Sequence, residues 1–195
     1  MRIGVLALQG AFREHIMVFE ALGVSVRAVR LPSDLELLDG LVIPGGESTA
    51  IATLMTTYGF YEPIVRRHAA GMSVWGTCAG AILVAKRVLD AVPGQESLML
   101  MDVTVRRNAF GRQVDSFEAD VDFAHIKGGP FRGVFIRAPW IEEAGAGVEV
   151  LASHDGRAVA ARHGGLMVTA FHPELTGDPR IHRYFTQSVV GASRA

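Results

Sequence analysis

The sequence predicts an α/β fold: a single domain on a mostly parallel open sheet, with helices on both faces and appended antiparallel hairpins. Three observations predict it. Continuous apolar runs such as Ile3 to Leu8 and Leu41-Val42-Ile43 read as strands buried on both faces, the kind found in the middle of a parallel sheet. Helix-spaced runs alternate with them through the first half of the chain. From Leu98 onward the rhythm changes to short strand-like runs separated by glycine-bearing turns, without intervening helices. At 195 residues and 49% hydrophobic composition the chain suits one soluble globular domain, residues 1–195, with a sizeable core. No repeat or low-complexity linker divides it.

The first strand, Ile3 to Leu8, ends at Gln9-Gly10, and Phe12, Ile16, Phe19 and Leu22 then recur at helical spacing up to Gly23, a helix stop. Val24 to Val29 alternates as a second strand, and Pro32 to Asp39 connects it to a third, Leu41 to Ile43. That strand runs into Pro44-Gly45-Gly46-Glu47-Ser48. A helix carrying Ile51, Leu54 and Met55 follows, then a second helical stretch from Glu62 to Ala70. Met72 to Trp75 is β-like, and Ala79 to Val88 is helix-like. Leu100 to Val105, Phe117 to Val121, Val134 to Ile136, Val148 to Ala152, Ala158 to Arg162 and Leu166 to Phe171 are the hairpin strands, and Ile181 to Val190 reads as a closing helix. In such folds ligands gather beyond the carboxyl ends of the strands. Gly10, Gly46 and Cys78 all follow directly on strands, so they should meet at one edge of the sheet.

The stretch Gly76-Thr77-Cys78-Ala79-Gly80 has the spacing of a nucleophile elbow, in which a sharp strand-to-helix turn leaves little room beyond glycine beside the nucleophile. The start of a helix also favours a thiolate. A buried cysteine acting as a small apolar side chain fits the same run, so the elbow alone leaves both readings open. Gly45-Gly46 could aim a backbone N–H into a cavity and, with the N–H of Ala79, form an oxyanion hole. It could equally be a simple turn, with Ser48 capping the next helix.

A thiol nucleophile needs a base, and the base an orienting carboxylate. Of seven histidines, His172 stands out, because Ala170-Phe171-His172-Pro173-Glu174 follows an apolar strand and sets a carboxylate two residues beyond the imidazole. Proline stiffens the backbone between them. The candidate triad is Cys78, His172 and Glu174.

Composition narrows the partners. A net charge of -1 and a pI near 6.7 give no reason to expect nucleic acid or a membrane surface. The basic run Arg106 to Arg112 reads as a solvated loop, or as a loop with one arginine reaching the site. No phosphate-loop pattern occurs. A lone cysteine forms no internal disulfide and no apolar run reaches membrane length, so a cytoplasmic protein is expected. The histidine spacings match no metal-ligand pattern, and neither a metal nor a cofactor is expected.

Together, Pro44 to Ser48, Gly76 to Gly80 and Phe171 to Glu174 resemble the motifs of the class I (triad) glutamine amidotransferases. Leu8-Gln9-Gly10-Ala11 with Arg13-Glu14-His15, Arg107 to Phe117, and Gly133 to Pro139 are similar to those of the glutaminase subunits of pyridoxal 5'-phosphate synthase. The Gln9-Gly10 and Arg107 to Phe117 stretches speak against a triad glutaminase that feeds another acceptor. The resemblance spans nearly the full length. It implies that L-glutamine is hydrolysed through a γ-glutamyl thioester, with the ammonia passed to a synthase subunit in a hetero-oligomer. It further implies that Cys78 attacks the amide, His172 moves the proton, Glu174 orients His172, and the N–H groups of Gly46 and Ala79 stabilise the oxyanion. Gly46, Glu47, Ser48, Arg107, Ile136 and Arg137 match glutamine-contacting positions, and a guanidinium suits the substrate's carboxylate. Gln9 and Gly10 match the neighbourhood that meets the synthase, where docking is expected to reorganise the oxyanion loop.

Overall fold

The computed structural model describes residues 1–107 and 116–191. Its opening unit is β1 (Arg2–Leu6), α1 (Phe12–Ala21) and β2 (Ser25–Val29). A 3-10 turn at Pro32–Leu35 leads to β3 (Gly40–Ile43), and α2 (Ser48–Tyr58) and α3 (Tyr61–Ala69) precede β4 (Ser73–Thr77). Strands β1, β2, β3 and β4 pair in parallel. Because side chains alternate across a strand, neighbouring residues of this block serve opposite faces. Leu41 and Val74 join the core under α2 and α3, while Val42 and Trp75 join the core that holds Phe19 of α1. Helices therefore cover both faces, as the apolar runs predict.

After β4 comes α4 (Ala79–Val84), and here the structure departs from the helix expected to reach Val88. Ala85 turns extended at φ -64 and ψ 146, and Ala85–Leu89 forms β5, paired in parallel with β6 (Met101–Arg106). The run carries no strong strand signature. What makes it a strand is its pairing with β6, beside which Lys86 reaches Asp102 at 3.1 Å and Arg87 reaches Glu143 at 2.9 Å. Tertiary pairing overrides helical preference there.

The remaining strands are β7 (Ser116–Val121), β8 (Phe131–Ile136), β9 (Trp140–Ala144), β10 (Glu149–His154), β11 (Arg157–His163) and β12 (Leu166–Thr169). β7 and β8 form a separate antiparallel pair, and β10 and β11 a hairpin. The sheet runs β2-β1-β3-β4-β12-β11-β9-β6-β5. β9 has no counterpart among the expected strands. β12 is antiparallel to β11 but parallel to β4, in register Leu166 to Val74 and Met167 to Trp75. It is thus the second strand of a hairpin with β11 and also completes the parallel centre, which delivers the segment after it to the edge where β4 ends. The chain closes with a 3-10 turn (Pro173–Leu175) and α5 (Arg180–Tyr184), which continues as a π-helical segment (Phe185–Val190). No helix among the described residues is long and apolar enough to cross a membrane.

Candidate active site

Cys78 sits between β4 and α4 at φ 48 and ψ -104, a conformation that non-glycine residues rarely adopt. It is held there by its own N–H, which donates to the Thr169 carbonyl at 2.8 Å. The flanking glycines are required by close approach. A side chain on Gly76 would overlap the Gly80 carbonyl, and one on Gly80 the Ile43 carbonyl. The turn is tight because α4 leaves the sheet pressed against the ends of both β3 and β4. Such backbone strain, of order 1–3 kcal/mol, persists only where the surroundings over-determine it.

β12 runs beside β4, so the residues that follow it emerge next to Cys78. The His172 N–H donates to the Val134 carbonyl at 2.8 Å, which fixes the backbone of the segment. His172 Nδ1–H donates to Glu174 Oε1 at 2.7 Å, and Glu174 is buried in the following 3-10 turn. Burial opposes a charged imidazole, but hydrogen bonding with Cys78 and with Glu174 outweighs it and pushes His172 up to about 10. Gly45 closes over the pair, since a side chain there would overlap the His172 ring and lie 3.2 Å from Cys78 Cβ. Cys78 Sγ also lies 3.7 Å from the Ile136 carbonyl.

These residues face a cavity of about 360 Å³. Its walls include Cys78, Ala79 and His172, and also Gly46, Glu47 and Ser48 from the loop after β3. Arg107, Ile136 and Arg137 close another side, and Gln9 and Gly10 the rim near β1. Glu174 lies behind His172, outside the cavity. Every site residue expected from the sequence is thus at this one sheet edge. Residues 108–115 of the Arg107 to Phe117 stretch lie outside the described residues.

One local assignment changes. The cap of α2 is Glu47, whose carboxylate accepts from the N–H groups of Thr49 at 3.1 Å and Ala50 at 2.7 Å and also from the Thr49 hydroxyl. Ser48 is the first helical residue and is buried. Glu47 reaches further than serine and so caps from one position earlier. Its Oε1 lies 3.8 Å from Arg107 Nη2. Burial works to raise Glu47, but the Thr49 and Ala50 hydrogen bonds and the Arg107 charge hold it below the usual carboxylate range. The loop after β3 is held by two further contacts. The Gly45 carbonyl accepts from the Ala11 N–H at 2.9 Å, and the Glu47 N–H donates to Gln9 Oε1 at 2.9 Å. In a trans peptide the N–H points opposite to the carbonyl, so the Gly46 N–H is directed away from Ala11.

Sequence reasoning gives no role to His182 and places His15 only within a motif. Both are fully buried behind the triad. His15 Nε2 is 3.3 Å from Glu174 Oε2 and 3.3 Å from Thr77 Oγ1, and its Nδ1 is 2.9 Å from His182 Nε2. The available signal is the four-residue spacing of His15 and Phe19 on one helix face, which marks position 15 as inward. Among the described residues no cluster of three or more histidine, cysteine or carboxylate groups could hold a metal.

Comparison with known proteins gives the family and the fold. Residues 5–191 match the model of the SNO glutamine amidotransferase family. The pyridoxal 5'-phosphate synthase subunit PdxT of Acidothermus cellulolyticus is 54% identical, over 99% of this chain and 96% of that one. The PdxT subunit of Streptomyces coelicolor is 53% identical, over 99% and 95%. A crystal structure of a glutamine amidotransferase superposes with a TM-score of 0.91 at 47% identity, covering 97% of this chain and 98% of that one. PurLQS from Thermotoga maritima shares the fold at 14% identity and a TM-score of 0.73, covering 95% and 97%. With an elbow cysteine and a histidine-carboxylate pair at one sheet edge and full-length similarity above half identity, the chain belongs to the SNO glutamine amidotransferase family.

Proposed function

We propose that this chain, working as one domain in the cytoplasm, hydrolyses L-glutamine to L-glutamate and ammonia. The ammonia passes to a synthase subunit that builds pyridoxal 5'-phosphate, the assembly named for its PdxT relatives. The observation that carries this reading is the placement of His172 between Cys78 and Glu174 at the floor of the cavity. Because both partners favour the charged imidazole, His172 holds a proton for the departing nitrogen.

Cys78 Sγ attacks the carbonyl carbon of the side-chain amide, and the negative charge that develops on oxygen falls between the N–H groups of Gly46 and Ala79. Ala79 opens α4, so its N–H has no acceptor within the helix. The Gly45 carbonyl is turned to Ala11, which directs the Gly46 N–H away from Ala11. As the intermediate collapses, the C–N bond breaks and His172 gives its proton to the departing nitrogen, leaving the γ-glutamyl thioester. His172 then takes a proton from water, the water oxygen attacks the thioester carbon, and the C–S bond breaks to release glutamate and return the sulfur to Cys78, with the proton retained on His172. Glu174 holds the imidazole at a fixed angle throughout. Arg107 and Arg137 bind the α-carboxylate, with Glu47, Ser48 and Ile136 completing the wall around glutamine.

Gln9 and Gly10 sit where the first strand meets the oxyanion loop, and Gln9 bonds that loop directly. We infer that a synthase subunit docked over this rim acts on the Gly45-Gly46 peptide through them. Ammonia release from glutamine, with and without the synthase subunit, tests both steps. Cys78→Ala should lower the rate on the order of a thousandfold or more, and the synthase should raise the native rate. Ammonia production that survives Cys78→Ala removes the nucleophile from the mechanism. Equal rates with and without the synthase remove the coupling.

A further inference from the structure

We propose that His15 is a positioning residue for the triad, held by His182 in a single tautomer so that its Nε2–H faces Glu174. The inference rests on the glutaminase reading above and concerns what fixes its acid. Glu174 Oε1 is occupied by His172, and Oε2 is buried without an aligned hydrogen bond. His15 Nε2 lies 3.3 Å from Oε2.

The tautomers follow from donor and acceptor counting. A carboxylate oxygen only accepts, so an unprotonated Nε2 would set lone pair against lone pair in a dry interior. Nε2 of His15 therefore carries hydrogen. Thr77 Oγ1, at 3.3 Å from the same nitrogen, both donates and accepts and is compatible with this. His15 Nδ1 then presents a lone pair to His182 Nε2 at 2.9 Å, and His182 Nε2 must be the donor. That leaves His182 Nδ1 as a bare lone pair, and it is buried without a partner among the described residues. The opposite direction would bury an unpaired N–H there instead. Both ends of the chain thus agree on one direction: His182 Nε2–H to His15 Nδ1, His15 Nε2–H to Glu174.

The pair also stays uncharged. Burial first, then the charges of His182 and His172, hold His15 well below its ordinary value, and burial alone takes His182 down to about 3. Trp75 packs edge-on against both rings, at 5.4 Å from His15 and 5.0 Å from His182, and Phe19 against His182 at 4.9 Å. The titratable groups facing His15 are therefore His182 from α5 and Glu174 and His172 from the segment after β12. A neutral donor suits the position. It fixes the carboxylate without supplying a positive charge that would compete with His172 for it.

Two measurements test the proposal. Nitrogen-15 correlation spectra of the histidine-labelled full chain between pH 5 and 8 should show His15 and His182 as neutral Nε2–H tautomers. An Nδ1–H tautomer or an imidazolium at either position overturns the relay, whatever the protein's activity. The second compares His15→Phe and His15→Gln in the complex with the synthase subunit. Phenylalanine fills the space without a donor, and glutamine can place an amide N–H near the Nε2 position. His15→Phe should lower kcat on the order of 10- to 100-fold, the range expected when a reacting group loses up to an ångström of placement, with KM within about twofold. His15→Gln should recover most of that loss. A His15→Phe variant with native kcat, or a folded His15→Gln variant no better than it, overturns the positioning role. If His15→Phe does not fold, the tautomers in the native chain decide. Absence of glutaminase activity in the native complex would instead count against the reaction itself and leave the spectra as the independent test.

Discussion

Glu47 serves two structures at once: it caps α2 through the N–H groups of Thr49 and Ala50, and it faces Arg107 across the cavity mouth. Glu47→Ala should therefore have two separable effects. Loss of the cap should lower stability by about 1 kcal/mol, the usual cost of removing a capping side chain, and loss of the anchor should raise KM for glutamine more than it lowers kcat. Ser48→Ala should leave the cap intact. Urea denaturation and glutamine titration of the two variants would check this, and a larger stability loss in Ser48→Ala would return the cap to Ser48. The serine-capping rule points to the wrong neighbour because it reads chain position, whereas the longer glutamate side chain folds back from one residue earlier. Cys78, His172 and Glu174 are readable from sequence because glycine spacing and a proline constrain them locally. His15 and His182 are not, since their contact joins residues 167 apart in the chain. Nothing local marks that pairing.

At the scale of elements, the site depends on how closely α4 leaves the sheet. Gly80 packs its Cα face against the Ile43 carbonyl, so Gly80→Ala would force α4 away from β3. The expected cost is about 1–3 kcal/mol, as for other overpacked interiors. It should come with a loss of glutaminase activity larger than the loss of folded protein, because Ala79 and Cys78 move with the helix. Thermal unfolding and specific activity, measured on one preparation, separate the two effects. An active Gly80→Ala variant of native stability would show that the elbow has slack. The parallel block β1 to β4 is legible because its apolar runs are buried on both faces. The placement of β12 is not, because a four-residue strand has the same pattern whether it ends a hairpin or enters the sheet centre. Pairing with β4 decides it, and only the assembled sheet contains that information. Ala85–Leu89 is misread for the same reason, its strand form being imposed by β6.

For the whole molecule, the buried histidines make stability depend on acid. His15 and His182 have native pKa values below the ordinary 6.5, His182 at about 3, because the interior offers their charged forms no solvation. As pH falls through 6.5, the unfolded chain binds protons at both positions that the folded chain refuses. A group whose folded pKa is depressed in this way costs stability as the pH drops, here about 1.4 kcal/mol per pH unit for each histidine. The loss should begin below pH 6.5, above the range in which carboxylates such as Glu47, with an ordinary value of 4.5, start to protonate in the unfolded chain. Urea midpoints should therefore decline steadily as the pH falls from about 6.5 to about 4.5. His182→Phe, which replaces one buried imidazole by a ring of similar shape beside Trp75 and Phe19, should remove about 1.4 kcal/mol per pH unit from that slope. An unchanged slope in this variant would mean that His182 takes up its proton in the folded protein as readily as in the unfolded chain, and the neutral tautomer assigned to it would be wrong.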